Sequence, residues 1–153
     1  MKIKKVTLLL LMVLIYSGCS PGCDETPVCS SVPKSESIEG SNSIGVETGK
    51  AAGIEPLTWS DKLAEYANIR AEEIITNFSH IRDDGTKCYV LSDLIYGENI
   101  ARGPHATGAE FLAHWMASES HKANILEPKY TTMGVGFTCT EQGDTAVQLF
   151  GID

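Results

Sequence analysis

Apolar and polar positions along the chain change their period several times. Val6 to Tyr16 reads VTLLLLMVLIY, eleven residues without a charge. Residues 20–45 then carry Ser, Pro, Gly and acids with few large apolar groups. From Leu63 the apolar positions (Leu63, Tyr66, Ala67, Ala71, Ile74, Ile75 and Phe78) recur at three and four. This spacing predicts an amphipathic helix of about five turns. Ser60 is its expected cap and Asp61 suits its positive N-terminal end. Only Arg70 interrupts the stripe, and Glu72-Glu73 falls on the other face, where water solvates it. Asp83-Asp84-Gly85 reads as a turn. Thr107-Gly108-Ala109-Glu110 matches a capping box, a hydroxyl followed three residues later by Glu. It opens a second helix whose apolar face is Phe111, Leu112, Trp115 and Met116. Ser118 to Leu126 predicts a short third helix, stopped before Pro128. The period then becomes two. Val135, Phe137 and Cys139 alternate with Gly136 and Thr138, a polar turn spans Glu141 to Asp144, and Ala146 to Ile152 reads as a second strand. Together they predict an antiparallel hairpin. Helices first and strands last make an α+β layout.

The apolar run near the start changes the domain picture. A spanning helix needs about 20 residues. The run is shorter, follows Lys2, Lys4 and Lys5, and precedes Ser17-Gly18-Cys19. That order is the layout of an export signal, here of the bacterial lipoprotein type, in which Cys19 becomes the lipidated first residue. Tyr16 departs from the usual aliphatic residue. An ordinary cleaved signal, giving a secreted protein, is the alternative. The chain therefore divides into a signal peptide at residues 1–18, a flexible tether and lead-in at 19–53, and one domain at 54–153.

Composition sharpens this. The chain has 153 residues, 42% of them apolar, and a net charge of -8. Loss of the three leader lysines lowers the charge to -11. Binding to nucleic acid needs clustered Lys and Arg, so it is excluded as a function class. Membrane attachment would come from acyl chains on Cys19 and not from charge. Four cysteines remain, Cys23, Cys29, Cys88 and Cys139. Outside the cytoplasm they suggest two disulfides. Cys23 with Cys29 would close a small local loop, and Cys88 with Cys139 a long one.

The candidate chemistry lies in His80, Glu98, Asn99 and His121. Gly97-Glu98-Asn99 reads as a turn presenting a carboxylate and an amide. Two imidazoles and a carboxylate (His80, Glu98 and His121) suit Zn²⁺ or another divalent metal with an open position. They equally suit a hydrogen-bonded polar cluster without metal. Spacings of 18 and 23 residues do not decide between these. His105 reads as a solvent-exposed loop residue, and His114 as a surface or packing residue.

Five blocks then resemble the CAP superfamily (cysteine-rich secretory proteins, antigen 5 and pathogenesis-related 1 proteins), most of all its bacterial SCP-like extracellular domains. They are PLTWSDKLA from Pro56, NFSHIRDDG from Asn77, GENIA from Gly97, WMAS from Trp115 with HKANIL from His121, and GVG from Gly134 with QLFG from Gln148. The resemblance covers residues 54–153. It implies an α-β-α sandwich, with a small antiparallel sheet between helical layers. It also implies a cleft holding His80, Glu98 and His121. The second glutamate of the eukaryotic members falls here on Ser118, with Glu119 one place late. A one-residue shift turns a helical side chain by about 100°. In the stretch that matches the family's first helix, Gly40, Gly45, Gly49 and Gly53 disfavour helix, so that helix is expected to be degenerate.

Three functions follow as expectations. The first is an extracytoplasmic, lipid-anchored binding module of a bacterial envelope, whose cleft takes a small-molecule, lipid or cell-wall ligand and has room for a divalent metal. The second is a metal-assisted hydrolase of peptide or cell-wall substrates. The third is a structural envelope protein whose polar cluster knits sheet to helices.

Overall fold

The computed structural model describes residues 53–104, 106–141 and 143–153. The export signal, Cys19, Cys23, Cys29, the expected degenerate first helix and His105 lie outside the described residues.

Ser60 starts the first helix. Its backbone is extended, and its hydroxyl accepts from the Leu63 N–H. The helix, α1, runs Asp61–Thr76 and buries Leu63, Ala67, Ala71 and Ile74. It stops two residues before the stripe ends, so Phe78 falls beyond the cap at Asn77 and is exposed, as Ile75 is. Arg70 is fully buried, and Glu73 is half-buried and ion-paired, not solvated.

α2 (Gly108–Ala117) opens with the expected capping box. Glu110 N–H donates to the Thr107 hydroxyl, and Thr107 N–H donates to the Glu110 carboxylate at 2.7 Å. α3 (Glu119–Ile125) follows directly. The strands are β1 (Thr58–Trp59), β2 (Gly97–Gly103), β3 (Thr132–Thr140) and β4 (Gly143–Gly151), in the order β1-β3-β4-β2. β3 and β4 form the expected hairpin, and β2 pairs antiparallel with β4. Two findings correct the sequence reading. Gly97-Glu98-Asn99 opens a strand and not a turn. The sheet is mixed, because the short β1 runs parallel to β3.

Alternation along the central β4 sorts the core into two layers. Val147 and Leu149 meet α1 through Leu63, Ala67, Ala71 and Ile74. Ala146 and Phe150 face the other way, against Phe111, Leu112, Trp115 and Ile125 of α2 and α3. Each large apolar side chain buried in this way contributes about 1.5–3 kcal/mol. The result is the α-β-α sandwich. Its tightest seam is glycine-lined. A Cβ on Gly134 would sit 2.2 Å from the Ala64 nitrogen, and one on Gly136 2.2 Å from the Ala67 carbonyl carbon. The α1 backbone thus rests directly on β3.

Cys88, in a 3-10 turn at Cys88–Val90, is free and buried, so the expected Cys88–Cys139 disulfide does not form. Cys139 takes a partner other than Cys88. The sheet explains the failure. Cys88 lies beside Glu98, near one end of β2. Cys139 lies level with Asp144, which pairs with Gly103 at the other end. Five strand residues separate the two levels by about 17 Å, far beyond disulfide reach.

Candidate functional site

β2 is an edge strand, and its alternating side chains serve opposite layers. Glu98 points toward α1. Its Oε1 accepts from Arg70 Nε at 2.8 Å, and its Oε2 meets His80 Nδ1 at 2.7 Å. The carboxylate is 2% exposed, while the His80 ring is 56% exposed. Arg70 also donates to Glu73 at 2.5 Å and to the Ser79 carbonyl at 2.7 Å, so it fixes the loop that carries His80. Arg82 closes the group by donating to Glu73 at 2.6 Å. The hydrogen bond from Arg82 holds the Glu73 carboxyl below the usual range, against burial, with Arg70 adding to the effect. The Glu98 hydrogen bond raises His80 above the ordinary imidazole value, outweighing burial.

Asn99 points to the other layer and is fully buried. Its amide donates to the His121 carbonyl at 3.1 Å and to Gln148 at 3.2 Å. Asn124 donates to the Asn99 side chain and to the Glu98 carbonyl. Glu98 and Asn99 therefore stand behind the cleft and tie α1 and α3 to the sheet.

The cleft itself has a volume of about 520 Å³. Phe78, Ile100 and Ala101 give it apolar walls. His80, His114, His121 and Arg102 give it a basic rim, with Ser79 beside them. Arg102 lies 4.9 Å above the Phe78 ring and donates to the Ile74 and Ile75 carbonyls at the end of α1. His121 Nδ1 is buried with no hydrogen-bond partner. Burial, then the neighbouring His114 and His80, lower its pKa below the ordinary value.

Two of the four expected cleft residues, His80 and His121, thus line the cleft. Glu98 and Asn99 do not: Glu98 is turned to Arg70 and His80 on one side of β2, and Asn99 to Gln148 and Asn124 on the other. Glu119 is exposed and does not line the cleft. Phe78, Arg102 and His114 were not foreseen. Arg70 left one trace in the sequence, a lone cation inside an apolar stripe, which signals a buried partner.

As direct ligands of a metal, His80, Glu98 and His121 do not fit. Both oxygens of Glu98 are engaged, one by a guanidinium. Among the described residues, no three His, Cys, Asp or Glu side chains are grouped to hold a metal ion.

Comparison with known proteins agrees with this architecture. The CAP family model, described as the Cysteine-rich secretory protein family, matches residues 42–150. The chain is 33% identical to the uncharacterized protein YkwD of Bacillus subtilis (strain 168) over 106 residues, 64% of this chain and 40% of that protein. It therefore spans about two-fifths of that relative. An outer surface protein from Borrelia burgdorferi shares the fold at TM-score 0.65 and 20% identity, over 79% of this chain and 96% of that one. An extracellular protein containing an SCP domain from Bacillus anthracis str. Ames superposes at TM-score 0.60 and 25% identity, over 73% and 39%. With the family match spanning most of its length and the three-layer fold in place, this chain belongs to the CAP family, as a bacterial SCP-type domain.

Proposed function

We propose that this protein is an extracytoplasmic binding module, and that the cleft beside β2 holds its ligand. One observation carries the reading. Apolar walls and a basic rim line an open cleft of about 520 Å³, within the range of small-molecule sites. The hydrolase reading is weaker. A general base must be free to take a proton, yet the nearby carboxylate, Glu98, is bound by Arg70 and His80 on both oxygens. The metal reading loses the same residue and keeps only the two imidazoles. The structural reading holds for Glu98 and Asn99, whose bonds join the layers, but it leaves the cleft without a use.

The leader supports export, and Cys19 supports a lipid anchor, with residues 20–53 as spacer. Two of the similar structures belong to an outer surface protein and an extracellular protein, in keeping with that placement. Three measurements test the proposal. Cross-saturation NMR against a fragment library should place hits on Phe78, His114 and His121; hits elsewhere on the domain would overturn the cleft reading. Detergent-phase partitioning should be lost in Cys19→Ala; equal partitioning would refute the anchor. Zinc should leave the melting temperature nearly unchanged, and a shift abolished by His80→Ala with His121→Ala would restore the metal reading.

A further inference from the structure

Taking the cleft as a binding site, we infer that its ligand is an organic carboxylate, bound by its anionic group at the His80, His114, His121 rim with its apolar body on Phe78 and Ile100. The charge distribution carries the argument. Among the described residues the cleft is lined by three imidazoles and one guanidinium, with no acid beside them, in a chain that holds 20 acids against 12 Lys and Arg.

The donor inventory sets the ligand's charge. Arg102 already donates to the Ile74 and Ile75 carbonyls and lies on Phe78. His80 directs Nδ1 to Glu98. Free donor capacity at the rim is therefore one nitrogen of His80, the rings of His114 and His121, and the remainder of Arg102. That suits a monoanion. A phosphate dianion would lose more hydration beside apolar walls than these groups return. The walls in turn ask for an apolar body next to the charge.

Binding should take up a proton. The charged and titratable groups around the His121 ring are His114 from α2, His80 from the loop after α1, and Arg102 from β2, with Glu119 and Lys122 exposed on its own helix. Glu98 stands behind His80, already paired with Arg70. Burial and the two neighbouring imidazoles depress the His121 pKa in the free protein. An anion in the cleft opposes both effects and favours the charged ring. Affinity should then rise as pH falls toward the free-state pKa, by up to about tenfold per pH unit, and level off below it.

The test uses the full chain with benzoate as probe and benzamide as its neutral partner. Calorimetry at pH 7.5 and 6.0, in buffers of different ionisation enthalpy, reads affinity and proton uptake. Histidine ring NMR reads the His121 midpoint. Benzoate should bind, roughly ten times more tightly at the lower pH, with net proton uptake and an upward shift of the His121 midpoint. His121→Gln should lose the uptake and most of the pH dependence; as a half-exposed helix position it tolerates Gln, and His114→Gln is a second variant expected to weaken binding. Acetyl-Ala-Ala and its C-terminal amide separate the two sources of a carboxylate. Tighter binding of the free peptide, lost on amidation, identifies a peptide C-terminus, and tighter binding of benzoate identifies a free acid. An unmoved His121 midpoint at saturating benzoate, or unchanged pH dependence in His121→Gln, overturns the inference. Benzamide binding without benzoate overturns it too, yet leaves the binding-module reading intact. If no probe binds, the inference falls, and the fragment screen then decides the binding-module reading.

Discussion

Replacing Arg70 tests how the site is held. Its side chain is fully buried, and it donates to Glu98 at 2.8 Å, to Glu73 at 2.5 Å and to the Ser79 carbonyl at 2.7 Å. Arg70→Met keeps most of the packing volume but removes every donor. Glu98, with 2% of its side chain exposed, then faces the core with no cation but the His80 ring beside it. Removing one partner of a buried ion pair costs about 3–5 kcal/mol, because the charge left behind is uncompensated. For a domain of this size that lowers the melting temperature by roughly 12–40 °C, at about 4–8 °C per kcal/mol. Arg70→Met with Glu98→Gln removes the stranded charge and keeps a hydrogen bond to His80. It should recover at least about 2 kcal/mol. Urea unfolding followed by tryptophan fluorescence suits the assay, since Trp115 is 1% exposed in the folded state. A loss below about 1 kcal/mol in the single variant, or a double variant no more stable than the single, would show that Arg70 does not hold Glu98 by charge.

Three further outcomes follow. Gly136→Ala places a methyl 2.2 Å from the Ala67 carbonyl carbon and should cost about 1–3 kcal/mol or more by forcing α1 off β3; a wild-type melting temperature would refute the seam. The Glu98 bond raises the folded His80 pKa, so the stability it supplies is complete below the unfolded value near 6.5. It is lost as pH rises through the folded value, and the melting-temperature gap between wild type and His80→Gln should narrow from pH 5.5 to pH 8.5. A gap that widens would reverse the assignment, although the exposed ring keeps the effect small. Burial, then Glu98, pushes the Cys88 thiol up to about 12, so Cys88 should react with a thiol reagent only on unfolding; fast labelling of the native protein at Cys88 would contradict its burial.

Local rules located much of this fold. Ser60 and the Thr107 to Glu110 box mark the starts of α1 and α2, because a cap is satisfied within four residues. The β3–β4 hairpin was legible for the same reason, since its strands pair across a short turn. The five family blocks then carried the layer arrangement. β2 was not legible. Its partner β4 lies more than 40 residues away, and Gly-Glu-Asn has the composition of a turn. That one misreading cascaded, because strand geometry, and not turn geometry, decides where Glu98 and Asn99 point.

Sequence alone determined the domain's family, its helix starts, the hairpin and the choice of His80 and His121 as candidate cleft residues. The tertiary structure alone decided what surrounds them. It turned Arg70 from a flaw in an apolar stripe into the partner of Glu98, and it moved Glu98 and Asn99 from the cleft into its support. It also brought Phe78, Arg102 and His114 to the rim and separated Cys88 from Cys139. The physical reason is common to all of these. Caps, periods and turns are satisfied by near neighbours, whereas a buried charge and a cleft wall find their partners only when distant segments pack.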